Sequence, residues 1–306
     1  MTPRITRFGV LAMAALLPLA AGAQLKPHED RDAGAFVIMS VNGDTLCREA
    51  TPEESVALRA PIGVATHVFG EGRARIKSNA QAAGLNIILH GTDQLEASPE
   101  AKAAFEKAAE IWESRISTPV EIIVDVDYGP KRFGTDYPNA NIIGSTGSAS
   151  WIFEDGGYTE IRAAIVDRAD NAAEAAVYNA LPDPNLPTDA NAAGFLTNFG
   201  AASALLRALK ALPPQAADDV APYRGNTSPQ IGFNSAFNFD FDPTDGIAPG
   251  KTDFVGVAVH EMGHMLGFSS RVGATETGGD AGPSILDFFR FRPGVDMTTF
   301  GSAQRI

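Results

Sequence analysis

Asp253-Phe254-Val255-Gly256-Val257-Ala258-Val259-His260-Glu261-Met262-Gly263-His264-Met265-Leu266-Gly267-Phe268 decides how the rest of the chain is read. Its apolar residues are dense enough for a half-buried helix, Thr252 or Asp253 supplies an N-terminal cap, and Gly267 permits a sharp exit through positive φ. Residues four apart on a helix stand one turn above each other. His260 and His264 can therefore aim their imidazoles at one ion, with Glu261 close enough to reach a water on it. Zinc takes nitrogen ligands of this kind, and a carboxylate that is not a ligand can serve as the base when water attacks a peptide carbonyl. The expectation is a metal site on His260 and His264 with Glu261 as general base. Without a metal, the same residues would desolvate three polar side chains on a half-buried turn, at a cost of several kcal/mol.

Working outward, Asn234 and Ser235 interrupt the alternation of Ile231 to Phe241, which reads as a bulged edge strand preceding the catalytic helix. Asp240, Asp242 and Asp245 with Gly246 could hold calcium through hard oxygen ligands, although an Asp/Gly turn is the preferred reading. Further upstream, Leu85 to Leu89 reads as a strand. Ser98-Pro99 starts a helix to about Ile116, with Ala104, Phe105, Ala108, Ile111 and Trp112 inward and Lys102, Glu106, Glu110 and Glu113 outward. Val120 to Tyr128 alternates as a second strand. Gly144 to Gly157 is rich in Gly and Ser and reads as loop; Tyr158 to Leu181 and Ala192 to Leu212 read as helices. His28, His67 and His90 are isolated and receive no role.

The chain resembles the zincin metalloproteases through His260-Glu261-x-x-His264. Gly267 matches the metzincin extension of that motif, but Ser270 stands where its third histidine would be. A group of secreted bacterial zinc metalloproteases, often linked to PEP-CTERM surface sorting, is a closer likeness. The shared segments are Trp112 to Ile116, Asp125 to Gly129, Gly232 to Ser235, Phe241 to Ile247 and Leu286 to Phe291. The resemblance implies an α+β, zincin-like domain, a mixed twisted sheet with an active-site helix, over 81–306. It implies a zinc-dependent endopeptidase acting on protein or peptide substrates, and an edge strand that pairs with the substrate, for which Ile231 to Phe241 is the candidate. A catalytic zinc needs three protein ligands, and no histidine follows His264. Of the acidic residues Glu276, Asp280, Asp287 and Asp296, Asp287 is the internal candidate, though a capping or ion-pairing role suits it equally. Otherwise the ligand lies beyond Ile306, and the catalytic domain is expected to be C-terminally truncated. The competing reading is a non-catalytic zincin-like surface or adhesion protein, or an inactive fragment, lacking the third ligand.

Composition bounds these readings. The chain has 306 residues, 44% of them hydrophobic, with a net charge of −13, the wrong sign for holding a phosphate backbone, so nucleic acid is excluded as a partner. Arg4 and Arg7, the apolar run from Phe8 to Leu19 and Ala21-Gly22-Ala23 form an export signal over 1–23, cleaved after Ala23. The run is too short to span a bilayer, and none of spanning length follows, so no integral span is expected and the product is secreted, periplasmic or cell-surface. Residues 24–80 read as an N-terminal extension or prosegment. The single cysteine, Cys47, lies within it and excludes an internal disulfide. A thiolate there could cap an active-site metal as a latency switch, but a small packed hydrophobe is the preferred reading.

Overall fold

A computed structural model describes residues 28–29, 35–58, 66–69, 84–147, 150–153, 157–181, 199–212, 229–270 and 283–289. The export signal, the acidic candidates Glu276, Asp280 and Asp296, and the chain end fall outside these residues. The fold is mixed α+β. A seven-stranded mixed sheet runs in the order β3-β2-β7-β10-β6-β5-β4, from strands β2 (Ala35–Val41), β3 (Asp44–Glu49), β4 (Thr66–Phe69), β5 (Asn86–Thr92), β6 (Glu121–Gly129), β7 (Ile142–Gly147) and β10 (Gln230–Asn234). A smaller sheet joins β1 (His28–Glu29), β8 (Ser150–Phe153) and β9 (Phe199–Ala202); β11 (Phe239–Asp240) pairs with β12 (Thr252–Asp253).

The main sheet grows from a βαβ unit. Strands β5 and β6 are parallel, and between them run the short helix α2 (Asp93–Glu96) and the longer α3 (Pro99–Glu113). Pro99 suits the first turn of α3, where its missing N–H leaves no bond unmade. Ser98 makes no side-chain cap. Ala101, Ala104, Phe105 and Ala108 form the buried face, as their spacing requires. Glu113 departs from expectation: it is buried, and its Oε1 accepts from the Ile87 N–H at 2.9 Å, tying the end of α3 to β5.

The helix expected over the His-Glu stretch is α7 (Phe254–Leu266). Asp253 accepts from the Gly256 N–H at 2.9 Å, and Gly267 closes the helix at φ 101°. α3 and α7 share one core with the sheet, centred on Phe254, whose ring meets Phe105, Phe233, Phe239 and Phe241 at 4.9 to 5.1 Å. Trp112 on α3 donates from Nε1 to the Val259 carbonyl at 2.8 Å and fixes the two helices together.

Three expectations change. The Gly/Ser stretch is not all loop: Ile142–Gly147 is a strand, buried through Thr146, and Ser150–Phe153 forms a further strand. Tyr158 to Leu181 divides into α4 (Gly157–Val166) and α5 (Ala172–Asn179), Asn171 capping the second, while Phe199 to Leu212 holds β9 and the short α6 (Ser203–Ala208). β10 is not an edge strand. It lies inside the sheet, parallel to β6 and antiparallel to β7, with all five residues buried, so no peptide can pair with it.

The N-terminal extension belongs to this sheet. Strands β3 and β2 form one edge and β4 the other, flanking the strands that follow residue 84. Strand period 2 sorts β2: Ala35, Val37 and Met39 pack with Ala50, Leu58 and Ile142 in a core of their own, while Ile38 turns to the core beneath α7. Helix α1 (Pro52–Ala57) follows β3 with a full capping box between Thr51 and Glu54.

Candidate metal centre

α7 presents His260 and His264 one turn apart, as their spacing demands, with the two Nε2 atoms 3.0 Å from each other. His264 Nδ1 lies 3.0 Å from the Phe268 carbonyl. A carbonyl only accepts, so Nδ1 carries the hydrogen and Nε2 carries the lone pair. Burial and the neighbouring His260 push His264 down to about 4, against the Phe268 bond; burial alone lowers His260. Both rings are thereby held neutral, the form that binds a metal.

The third member is Cys47, from β3. Its Sγ lies 3.2 Å from His260 Nε2 and 3.5 Å from His264 Nε2. Among the described residues, Cys47, His260 and His264 form the one group whose donor atoms converge for a metal. A tetrahedral zinc with bonds of about 2.05 Å to nitrogen and about 2.3 Å to sulfur would separate its ligands by about 3.3 Å for N···N and about 3.6 Å for N···S. The observed triangle sits within a few tenths of an ångström of those edges. The donor set, soft sulfur with two imidazoles, also suits zinc. Burial, then the charge of Glu261, pushes the Cys47 thiol up to about 11.

Glu261 is fully buried. Its Oε2 accepts from the Thr146 hydroxyl on β7, while Oε1 has no hydrogen-bond partner. Burial drives its carboxyl up to about 8, moderated by the Thr146 bond and by the positive charge of Arg132. Arg132 is itself buried, donating to Ser145 Oγ at 2.7 Å, to the Gln230 carbonyl at 3.1 Å and to the Leu58 carbonyl. It thus joins the α1 end of the extension to the strands behind Glu261. Asp127, from the Asp125 to Gly129 segment, accepts from Thr92, Gln94 and the Phe133 N–H, and fixes the loop that carries Arg132.

His260 and His264 converge as the motif predicts, while the carboxylate of Glu261 is turned to Thr146. Asp287 does not join them. It is buried in the 3₁₀ turn Ile285–Phe289, where its Oδ2 accepts from the Ser284 N–H at 2.8 Å and its Oδ1 from Ser270 Oγ at 2.6 Å, which is the capping role. The aspartates of the turn after β11 show the same economy. Asp240 accepts from the Ala248 and Asp242 N–H groups and Asp242 from Thr244, so these carboxylates shape the turn. His90 is buried beside Asp125 at 3.6 Å, away from the cluster.

Cys47 packs against the main core, as read from the sequence, and its Sγ also meets the two imidazoles; Thr146, Arg132 and Phe36 were not singled out. Phe36 on β2 stacks on the His264 ring at 3.9 Å. For Cys47 one signal existed in the sequence: a two-histidine motif short of a ligand, and a lone cysteine. Comparison with protein-family models, with curated proteins and with solved structures returns no match. The functional reading therefore rests on residues and geometry.

Proposed function

We propose that the protein is an exported, zinc-dependent metalloendopeptidase of zincin type, with His260 and His264 as metal ligands and Glu261 as general base. The observation that carries the reading is that two converged imidazoles share one helix with a buried carboxylate, adjacent in sequence to the first of them, that keeps one oxygen unpartnered. A site that only stored metal would have no use for that oxygen, which disfavours the non-catalytic alternative. Zinc, when bound, supplies a Lewis acid that polarises a peptide carbonyl and acidifies water. The protein's own groups do the rest. Thr146 holds Glu261 by Oε2, leaving Oε1 to take the proton from attacking water and to return it to the leaving amine. The Phe268 carbonyl keeps His264 in the tautomer that offers Nε2. The charged start and apolar run ahead of Ala23 support export.

Zinc analysis together with casein hydrolysis tests this reading. Glu261→Gln keeps the shape and can still accept from Thr146. It is expected to retain zinc while losing hydrolysis by about 10²- to 10⁴-fold. His260→Ala is expected to lose both. Equal hydrolysis by wild type and Glu261→Gln would overturn the assignment.

A further inference from the structure

We infer that Cys47 is a displaceable ligand of this metal centre, held in the coordination position that water or substrate needs, and that the β2–β3 hairpin is a latch holding the site closed. The inference rests on the reading of His260 and His264 as ligands. Cys47 is not an isolated thiol that happens to face a helix. Its Sγ completes a triangle with two imidazole nitrogens at 3.0 to 3.5 Å, close to tetrahedral zinc edges. A second observation comes from the next residue of α7: Glu261 is fully buried and its Oε1 has no hydrogen-bond partner.

The hairpin is built to bring the sulfur there. Cys47 lies opposite Ile38, and Phe36 opposite Thr146. Paired residues share a face, so Phe36, Ile38 and Cys47 all look toward α7. Phe36 seats on the ring of His264 while Cys47 reaches its Nε2. Two requirements for hydrolysis are blocked together. The sulfur takes a coordination position that water or a carbonyl needs, and β2 takes the side of β7. With β3 and β2 withdrawn, β7 becomes the sheet edge, and Thr146, the donor to Glu261, lies on it. An extended peptide pairing with that edge would cross directly in front of the general base. The extension therefore occupies, by strand pairing and by ligation, the ground that a substrate requires.

The test uses the purified chain, with its N-terminal hairpin in place, and cobalt(II) instead of zinc. The wild type is expected to show visible bands of tetrahedral cobalt and a near-ultraviolet thiolate-to-cobalt charge-transfer band. Cys47→Ala keeps visible bands and loses the charge-transfer band. Zinc-loaded Cys47→Ala is expected to hydrolyse casein about tenfold faster or more, the activity that a closing equilibrium of at least ten to one conceals. Cys47→Ser, a one-atom change with its melting curve as control, replaces Cys47→Ala if the latter does not fold. Cobalt bands without the charge-transfer band in the wild type would overturn Cys47 ligation and leave the histidine reading standing. A charge-transfer band with no gain of hydrolysis in Cys47→Ala would overturn the latch. No cobalt bands in wild type, as in His260→Ala, would overturn the metal site itself and the proposed function with it.

Discussion

Gly144 shows how little room single residues have around this site. A Cβ there would overlap the Phe233 ring, and Phe233 is wholly buried against Phe105 and Phe254. Gly144→Ala is therefore expected to force either the ring or β7 to move, at about 1 to 3 kcal/mol or more in denaturant unfolding. Because Thr146 lies two residues along the same strand, a shift of β7 would also loosen the donor to Glu261. Gly263, inside the His-Glu motif, is small for a related reason: a Cβ would come within 3.2 Å of the Trp112 ring, which its bond to Val259 pins in place. Neither requirement is visible in composition. Gly144-Ser145-Thr146-Gly147 reads as loop because β propensity is low, yet Ser145 and Thr146 are buried with their hydroxyls bonded to Arg132 and Glu261. Packing and hydrogen bonding override the local preference.

Elements differ in how far sequence specifies them. Helix α7 was legible to within two residues at its ends, because cap, period and terminal glycine all act locally. Strand β10 was legible as a strand but not in its place, since interior or edge position depends on β7, whose strand character was hidden. Cys47 lies 213 residues from His260, and only the registers of β2 with β3 and with β7 carry it there. The hairpin also holds an electrostatic clasp that can be tested. Arg48 and Glu54 join by two bonds of 2.7 and 2.8 Å, and the Glu54 carboxyl is held below its usual range by that hydrogen bond first and by the Thr51 N–H and the Arg48 charge, against burial. A carboxyl with a lowered folded pKa contributes stability that is fully present above its unfolded value of about 4.3 and is lost as pH falls through the folded value. Glu54→Gln is expected to cost about 0.5 to 1 kcal/mol at pH 7, by the difference in unfolding free energy from wild type. That difference should shrink as pH is lowered below about 4. A difference independent of pH would assign the loss to the capping box instead.

At the scale of the whole molecule, extension and later strands form one sheet, and the candidate metal centre is where they meet. Helix α7 offers two donor atoms and β3 a third, so an ion bound by all three would crosslink segments far apart in the chain. Anything bound to the folded state alone stabilises it by RT ln(1 + [L]/Kd), about 2.7 kcal/mol at a hundredfold excess of free ligand over Kd. For a domain of this size that corresponds to a rise in Tm of about 5 to 10 °C. Chelation should reverse it. If the ion bridged only the two histidines on α7, the loss of protection from amide exchange would stay within that helix and Gly267. With Cys47 engaged, removal of metal should speed exchange in the β2–β3 hairpin as well, in its pairing with β7 above all, while β5 and β6 keep their protection because α3 packs over them independently of the ion. The distribution of the exchange change, more than the size of the Tm shift, reports which elements the metal joins. Exchange confined to α7 would separate the hairpin from the site, and exchange spreading to both would make the extension a structural part of the metal centre that it covers.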